Sequence, residues 1–376
     1  MAAGLFATST YAASFDEALT GGKANMDMRL RYETVDDSTN KDAEAGTLRT
    51  RIGYQTGDYQ DFAAFAEFED VRTVMGLDDY SPQNSGFAAV ADPEVTQVNQ
   101  AIISYKGISD TTAKLGRQRL ILDNARHIGN VGWRQNEQTF DAVSLVITSI
   151  SNTTITYAFL DKVNGITSTF DTDVSDHLVN ATYSGFARGN ITGYAYLLED
   201  DGSNAETDIY GLRFNGQSGL SEGNKLLYTA ELATQSTDNN DALYTFIEGG
   251  VQYGGVTTKL GYEVLGSDDG AYGFQTPLAT KHAFNGWADQ FLSTPADGLQ
   301  DIMLSIAGMV ADIKLLGVFH DFSADQGGDD YGSEVDLQAT KNFAKRYTVG
   351  VKYAAYSADT IKTDTEKLWL WGELKI

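Results

Sequence analysis

Arginine is the residue in this chain whose placement most invites a chemical reading. Nine of its twelve arginines precede residue 135, in a protein whose formal net charge is -25. Arg29 and Arg31 alternate with Met28, Leu30 and Tyr32, and Arg49 and Arg51 alternate with Leu48, Ile52 and Tyr54. Residues two apart on a strand share a face, so each arginine pair projects from one side and its apolar neighbours from the other. The guanidinium fork suits carboxylates, which makes such a face a candidate binder of anionic solutes. A hairpin centred near Asn40 would set Arg29 opposite Arg51 and Arg31 opposite Arg49. Like charges directly opposite repel, so the array requires counter-charges, and Glu67 and Glu69 on the inner face of the next strand can supply them. Two roles follow: an Arg/Glu lattice stiffening a wall, or a basic stripe for anions.

The stretch Leu115 to Val143, LGRQRLILDNARHIGNVGWRQNEQTFDAV, carries Arg117, Arg119, Arg126 and Arg134, with Lys114 just before it. It reads as the end of a strand, an irregular polar segment, and a new strand from Gln138. A charged, glycine-containing loop cannot lie against lipid, where its backbone groups would go unpaired, so it sits in water or lines a cavity. Lys114 and Gln118 oppose Leu115 in parity and point inward. Arg117 and Arg119 share its parity and point outward, unless Gly116 marks a bulge. Trp369 and Trp371 oppose Leu368 and Leu370, which puts them in the lumen as platforms for sugar faces; the alternative is an interfacial girdle. The four histidines, His127, His177, His282 and His320, show no metal-ligand spacing and no nucleophile motif. No catalytic residue, metal or cofactor is expected, and the chain does not read as an enzyme.

The elements that must carry these residues are strands. From Ala24 onward the apolar pattern has period two, and segments of about ten alternating residues separated by turns mark a transmembrane β-barrel. About eighteen strands are expected. Every second connection is long (37–45, 72–95, 120–137, 161–176, 199–206, 236–242, 267–300, 322–331, 358–365), while most of the others, such as Gly57-Asp58 and Gly254-Gly255, are short. Only the turn near 216–223 breaks the rule. The fold class is therefore all-β: an antiparallel up-and-down barrel with short periplasmic turns and long extracellular loops, in a Gram-negative outer membrane. A propeller would show a blade-length repeat, and none is visible. Residues 1–12, with a short apolar stretch and the small-x-small site Thr10-Tyr11-Ala12, read as a signal-peptide remnant, leaving 13–376 as the barrel. The absence of cysteine rules out disulfides. Acidic doublets such as Asp36-Asp37 and Asp200-Asp201 read as solvated loop tips, or as cation sites near lipopolysaccharide. The acidity argues against nucleic acid as a partner. The expected partners are outer-membrane lipid and lipopolysaccharide, and saccharides or small anionic solutes.

Two stretches, 115–143 and KHAFNGWADQFLSTPADGLQD (281–301), resemble blocks of the alginate-export family of outer-membrane channels, and the strand count fits across nearly the whole chain. The resemblance implies an arginine-lined lumen passing an acidic polysaccharide, with Arg117, Arg119, Arg126 and Arg134 at the constriction. The last strand, Leu368 to Ile376, resembles the signal read by the barrel-assembly machinery, except that Ile376 stands where Phe is usual. The chain is short for an exporter with large gating loops, which points to passive diffusion of anionic or neutral saccharides, uronate oligomers first. An unselective small-solute porin and a structural barrel plugged by loops 72–95 and 267–300 are the alternatives.

Overall fold

Alternation of apolar and polar residues persists through almost every long strand, because one face of each meets lipid and the other the lumen. In the computed structural model, which describes residues 14–376, the chain forms β1 (Lys23–Asp36), β2 (Ala43–Gln55), β3 (Phe62–Asp79), β4 (Val95–Tyr105), β5 (Thr111–Gln118), β6 (Thr139–Ile147), β7 (Thr153–Asn164), β8 (Thr172–Phe186), β9 (Gly189–Asp200) and β10 (Ala205–Ser221). It continues through β11 (Asn224–Thr237), β12 (Asp241–Tyr253), β13 (Val256–Leu265), the two-residue pair β14 (Ser267–Asp268) and β15 (Tyr272–Gly273), β16 (Leu299–Val310), β17 (Ile313–Ser323), β18 (Asp330–Phe343), β19 (Tyr347–Ala358) and β20 (Thr365–Lys375). Apart from the β14–β15 pair, these strands form one 18-stranded antiparallel sheet in which β13 pairs with β16 and β20 returns to β1. Closure pairs the first strand with the last, so neither is left as a free edge facing lipid. No described helix is long and apolar enough to cross a membrane. The signal-peptide remnant expected at 1–12 lies outside the described residues.

Leu30, Ile52, Phe68, Leu115, Leu232 and Ile247 are exposed on the outer face, while Arg29, Arg51, Glu67 and Glu231 on the same strands are buried inside. This inverts a soluble protein, as a lipid solvent requires. Aromatic residues gather at the outer face near the short turns: Phe62 stacks on Tyr105 with centroids 4.5 Å apart, and Tyr183 meets Phe186 at 5.3 Å.

Three sequence expectations change. The strand β10 runs on to Ser221 and leaves only a two-residue turn, so the irregular connection near 216–223 is strand. The long connection after β3 begins at residue 80, because β3 extends to Asp79. The first hairpin pairs Arg29 with Arg49, Arg31 with Thr47, and Asp27 with Arg51, two residues away from the expected register. Asp37 sets that register, accepting from the backbone N–H groups of Thr39 and Asn40 at 3.0 and 2.9 Å and closing a tight turn. The sequence reading also missed helix α1 (Phe15–Thr20), whose signal was the capping box formed by Ser14 and Glu17. It packs under the first short turn, with Gly57 N–H donating to Ala18 O at 2.9 Å.

Leu30 faces lipid on β1. Arginine there is expected to cost about 2–4 kcal/mol if the site lies near the bilayer midplane, measured by a folding titration into lipid vesicles. A neutral result would invalidate the inward/outward assignment of β1.

Candidate functional site: a lumen closed by two inward loops

The four arginines of the first hairpin project into the lumen, and loop 119–138 folds in to meet them. A guanidinium out of water requires oxygens around it, and the loop backbone and wall carboxylates supply them together. Arg29 donates to the Gln135 side chain at 2.9 Å and to the carbonyls of Gly132 and Arg134. Arg31, wholly buried, donates to Trp133 O and to Asp92 at 3.2 Å. Arg49 pairs with Asp27 at 2.6 Å. Arg51 pairs with Glu69 and, at 3.3 Å, with Glu137. Glu137 closes the lattice: it accepts from Arg119 at 2.6 Å and from Asn99 at 2.6 Å, and Arg119 also reaches Glu67 at 2.8 Å. Burial alone would raise the Glu137 carboxyl, but Arg51 and Arg119 hold it down to about 2. Arg134 returns from the loop to Glu33 on β1 at 2.9 Å.

The opposite wall is acidic, and the second inward loop, 266–298, docks on it. Asn285 donates to Glu263 at 2.7 Å and Asp301 at 3.1 Å, while the N–H groups of Trp287 and Ala288 reach Asp336 and Glu334 at 3.2 and 2.7 Å. Gly286 has φ +85, and a Cβ there would strike Glu334, so only glycine allows this approach. The two loops also grip each other: Gly129 N–H donates to Leu278 O at 2.8 Å, and Thr280 N–H to Ala125 O at 3.0 Å. Arg126 crosses to Glu263 at 2.7 Å.

Both loops meet the wall at Lys352 of β19. Its ammonium lies 3.9 Å from the Trp133 ring and 3.8 Å from that of Trp287, and donates to His282 Nε2 at 3.0 Å. His282 Nδ1 then donates to Asp289 at 2.7 Å, which also pairs with Lys367 at 2.8 Å. That network assigns a neutral imidazole; burial pushes it down to about 3, against the pull of Asp289.

Above the loops a cavity of about 750 Å³ opens outward, with Arg134, Lys281, His282 and Lys367 among its lining residues. Lys281 has no ion-pair partner among the described residues. Burial and the nearby Arg126 push its ammonium down, so an anion beside it would be welcome. Lys114 faces the lumen on β5, likewise without a carboxylate partner among the described residues.

The sequence candidates therefore divide. Arg29, Arg31, Arg49, Arg51, Glu67, Glu69, Arg119, Arg126 and Arg134 come together in the lumen as a paired lattice. Arg119 points inward, against its strand parity, because β5 ends at Gln118. Arg117 does not join them. Gly116 has φ +114, yet the ladders on both sides of it run without a register shift, so parity holds and Arg117 pairs with Asp141 at 2.7 Å on the outer face. It is no part of the constriction. Trp369 and Trp371 face the lumen, but Trp369 is wholly buried and both pack edge-on to Trp133, with centroids 5.8 and 5.3 Å away. They offer no free platform for a sugar. Lys352, Lys281, His282 and Asp289 escaped the sequence reading as site residues, although the 281–301 block contains three of them.

A closed eighteen-strand barrel with an apolar outer face, short turns on one rim and a lumen narrowed by inward loops is an outer-membrane channel of the porin type. The family model for alginate export matches residues 22–266, and the chain belongs to that family. Among solved structures, it resembles OccAB2 of Acinetobacter baumannii at 12% identity and a TM-score of 0.77, covering 96% of this chain and 99% of that one. It resembles OpdK of Pseudomonas aeruginosa, solved with vanillate, at 15% identity and a TM-score of 0.74, covering 95% and 99%. OccD3 (OpdP) of Pseudomonas aeruginosa follows at 13% and 0.73, covering 96% and 92%. These likenesses show a shared fold. No curated protein matches the chain. The channel sits in the outer membrane of a Gram-negative bacterium.

Loop closure should weaken in acid. His282 has an ordinary value of 6.5 when unpacked and about 3 when packed. Protonation in that window therefore favours the unpacked loop, and stability is lost as pH falls through it. Glu137, depressed from 4.5 to about 2, loses its contribution in the same direction at lower pH. Single-channel recordings should show longer open times at pH 4 than at pH 7, with His282→Asn flattening the upper part of the profile. A flat wild-type profile would mean that these groups do not hold the loops.

Proposed function

We propose that this barrel is a passive channel for anionic or neutral saccharides, with uronate oligomers favoured. The observation that carries this reading is the uncompensated lysine on each side of the closed lattice, Lys281 in the outer cavity and Lys114 in the lumen below. Each offers a solute carboxylate a partner that no protein group competes for. The arginine lattice supports the reading in a second way: its guanidiniums are already arranged around carboxylate and carbonyl oxygens, which a solute carboxylate could replace. The likeness to OpdK, solved with vanillate, a small carboxylate, is consistent with this. Aspartates and glutamates also line the outer cavity, including Asp176, Glu199 and Asp200. The latter two sit at the extracellular end of β9. The narrow passage counts for more, because its low-dielectric walls focus the local field.

A second reading has its own support. Two loops bonded to each other and to both walls describe a plugged barrel with a structural or surface-binding role.

Planar-bilayer recording separates the two. A plug gives no stable conductance. The channel is expected to give a reversal potential on the anion side of a salt gradient, and a di- or trisaccharide of uronate should block it better than a neutral sugar. Lys281→Ala and Lys114→Ala should each move the potential toward zero. A cation-preferring wild type that neither change affects would end the uronate assignment.

A further inference from the structure

Trp369 and Trp371 offer a sugar no free ring, but another aromatic side chain stands open in the outer cavity. The connection between β7 and β8 carries Phe170 at the end of a single 3-10 turn, Ser168–Phe170, and this residue is 61% exposed. Its backbone is nevertheless held. Phe170 N–H donates to Thr167 O at 2.9 Å, and Gly165 N–H donates to Asp171 at 2.9 Å. Asn136 of the inward loop donates to Ile166 O at 2.8 Å and accepts from Gln97 of β4 at 2.7 Å. A Cβ at Gly165 would strike Phe170, so glycine there permits the tight fold of the connection.

Phe170 also stands at a divide. It lines the outer cavity of about 750 Å³ and a second one of about 400 Å³, and the two share Gly165, Thr169, Ala89 and Ala91 as well. Both volumes fall within the range of about 300–1,000 Å³ usual for small-molecule sites. Their chemistry differs. The larger lobe holds the unpaired Lys281 together with Arg134 and Lys367. The smaller has no lysine or arginine among its described lining residues, and offers hydroxyls and amides from Ser81, Thr167, Ser168, Gln97 and Asn136. The Ser81 and Ser168 hydroxyls make no hydrogen bond among the described residues. Two carboxylates, Glu94 and Asp171, complete that lobe. Glu94 accepts from Thr73 N–H at 2.9 Å, and its nearest cation is the exposed Arg72, 4.0 Å away, a separation at which an exposed pair holds weakly.

We propose that the two lobes form one saccharide site for a uronate joined to a neutral sugar. The uronate carboxylate meets Lys281 in the larger lobe. The neutral unit enters the smaller lobe, where Ser81 and Ser168 serve its hydroxyls, and the apolar face of a sugar ring rests on Phe170. This site rests on the reading of the barrel as a saccharide channel and narrows its substrate. Charge fixes the order of the units, because Glu94 and Asp171 repel a second carboxylate. The hydroxyl-rich lining selects against an aromatic acid, whose ring would leave those groups unpaired.

The test titrates saccharides into the intact barrel, in a detergent without sugar headgroups, and reads binding by calorimetry, which does not depend on conductance. Wild type should bind a uronate–hexose disaccharide more tightly than a diuronate or a neutral disaccharide. Phe170→Ala, at an exposed position outside the barrel wall, should weaken that binding roughly five- to tenfold, while Phe170→Trp retains it. Glu94→Gln, which keeps an acceptor for Thr73, should narrow the preference over the diuronate. Equal affinity of wild type and Phe170→Ala would overturn the proposal, as would the absence of saccharide binding. Tighter binding of the diuronate, or of an aromatic monocarboxylate, than of the mixed disaccharide would overturn it too. Ion preference is read separately from bilayer reversal potentials. A cation-preferring wild type would end the uronate reading itself, whereas an anion-preferring wild type whose affinity survives Phe170→Ala ends only the two-lobed site.

Discussion

A guanidinium removed from water is tolerable only when oxygens surround it, and that condition organises the interior of this barrel. Arg29, Arg31, Arg49 and Arg51 stand on two adjacent strands with little access to solvent. Wall carboxylates satisfy part of their demand, through Asp27 and Glu69. Asp92 of the loop after β3 takes Arg31 at 3.2 Å, and loop 119–138 adds its carbonyls at Gly132, Trp133, Arg134 and Gln135, which face the arginines. Neither partner is stable alone. Removing one side of a buried charge pair typically costs about 3–5 kcal/mol, so the lattice holds the loop in and the loop keeps the lattice buried.

On the proposed function, closure and selectivity would share a chemistry. Each site where a loop oxygen meets an arginine is a site where a carboxylate could stand instead. A uronate chain entering the lumen would compete with the loop for the same donors, while a cation would find them repulsive and already paired. On that proposal, passage of anions would call only for an exchange of oxygens around fixed guanidiniums, without unfolding of the loops. Lys352 is arranged differently, since aromatic rings surround it and its direct hydrogen bond goes to neutral His282. It anchors both loops to the wall without offering a carboxylate-exchange site.

What the sequence reveals, and what it hides, follows from the range of each interaction. Period-two alternation is local, so eighteen strands and their inward or outward faces can be read from Met28, Leu30 and Tyr32 against Arg29 and Arg31. The hairpin register depends on one turn, and a shift of two residues keeps every face unchanged, so the alternation could not reveal it. The closing role of the arginines is not local at all. Arg29 meets Gln135 across 106 positions of sequence, and nothing in either segment announces the other. Lys352 shows the same limit, sitting in an ordinary strand until His282 and three tryptophans converge on it. Arg117 is the converse case. Parity alone placed it outward, and family resemblance pulled it into the constriction, where the structure does not put it.

The position of Arg117 follows from the fold once the inward loop is taken seriously. Sending 119–138 into the lumen narrows the pore, but it also withdraws the chain that would have extended β5 and β6. The backbone of β4 from Val95 to Gln100 is left without a strand partner on its β5 side. Open sheet edges are not tolerated against hydrocarbon, so something polar must cover those groups. An outward arginine reaching Val98 O, steadied by Asp141, is one such cover. The constriction inside and the polar cover that Arg117 provides outside are thus two consequences of one excursion of the chain.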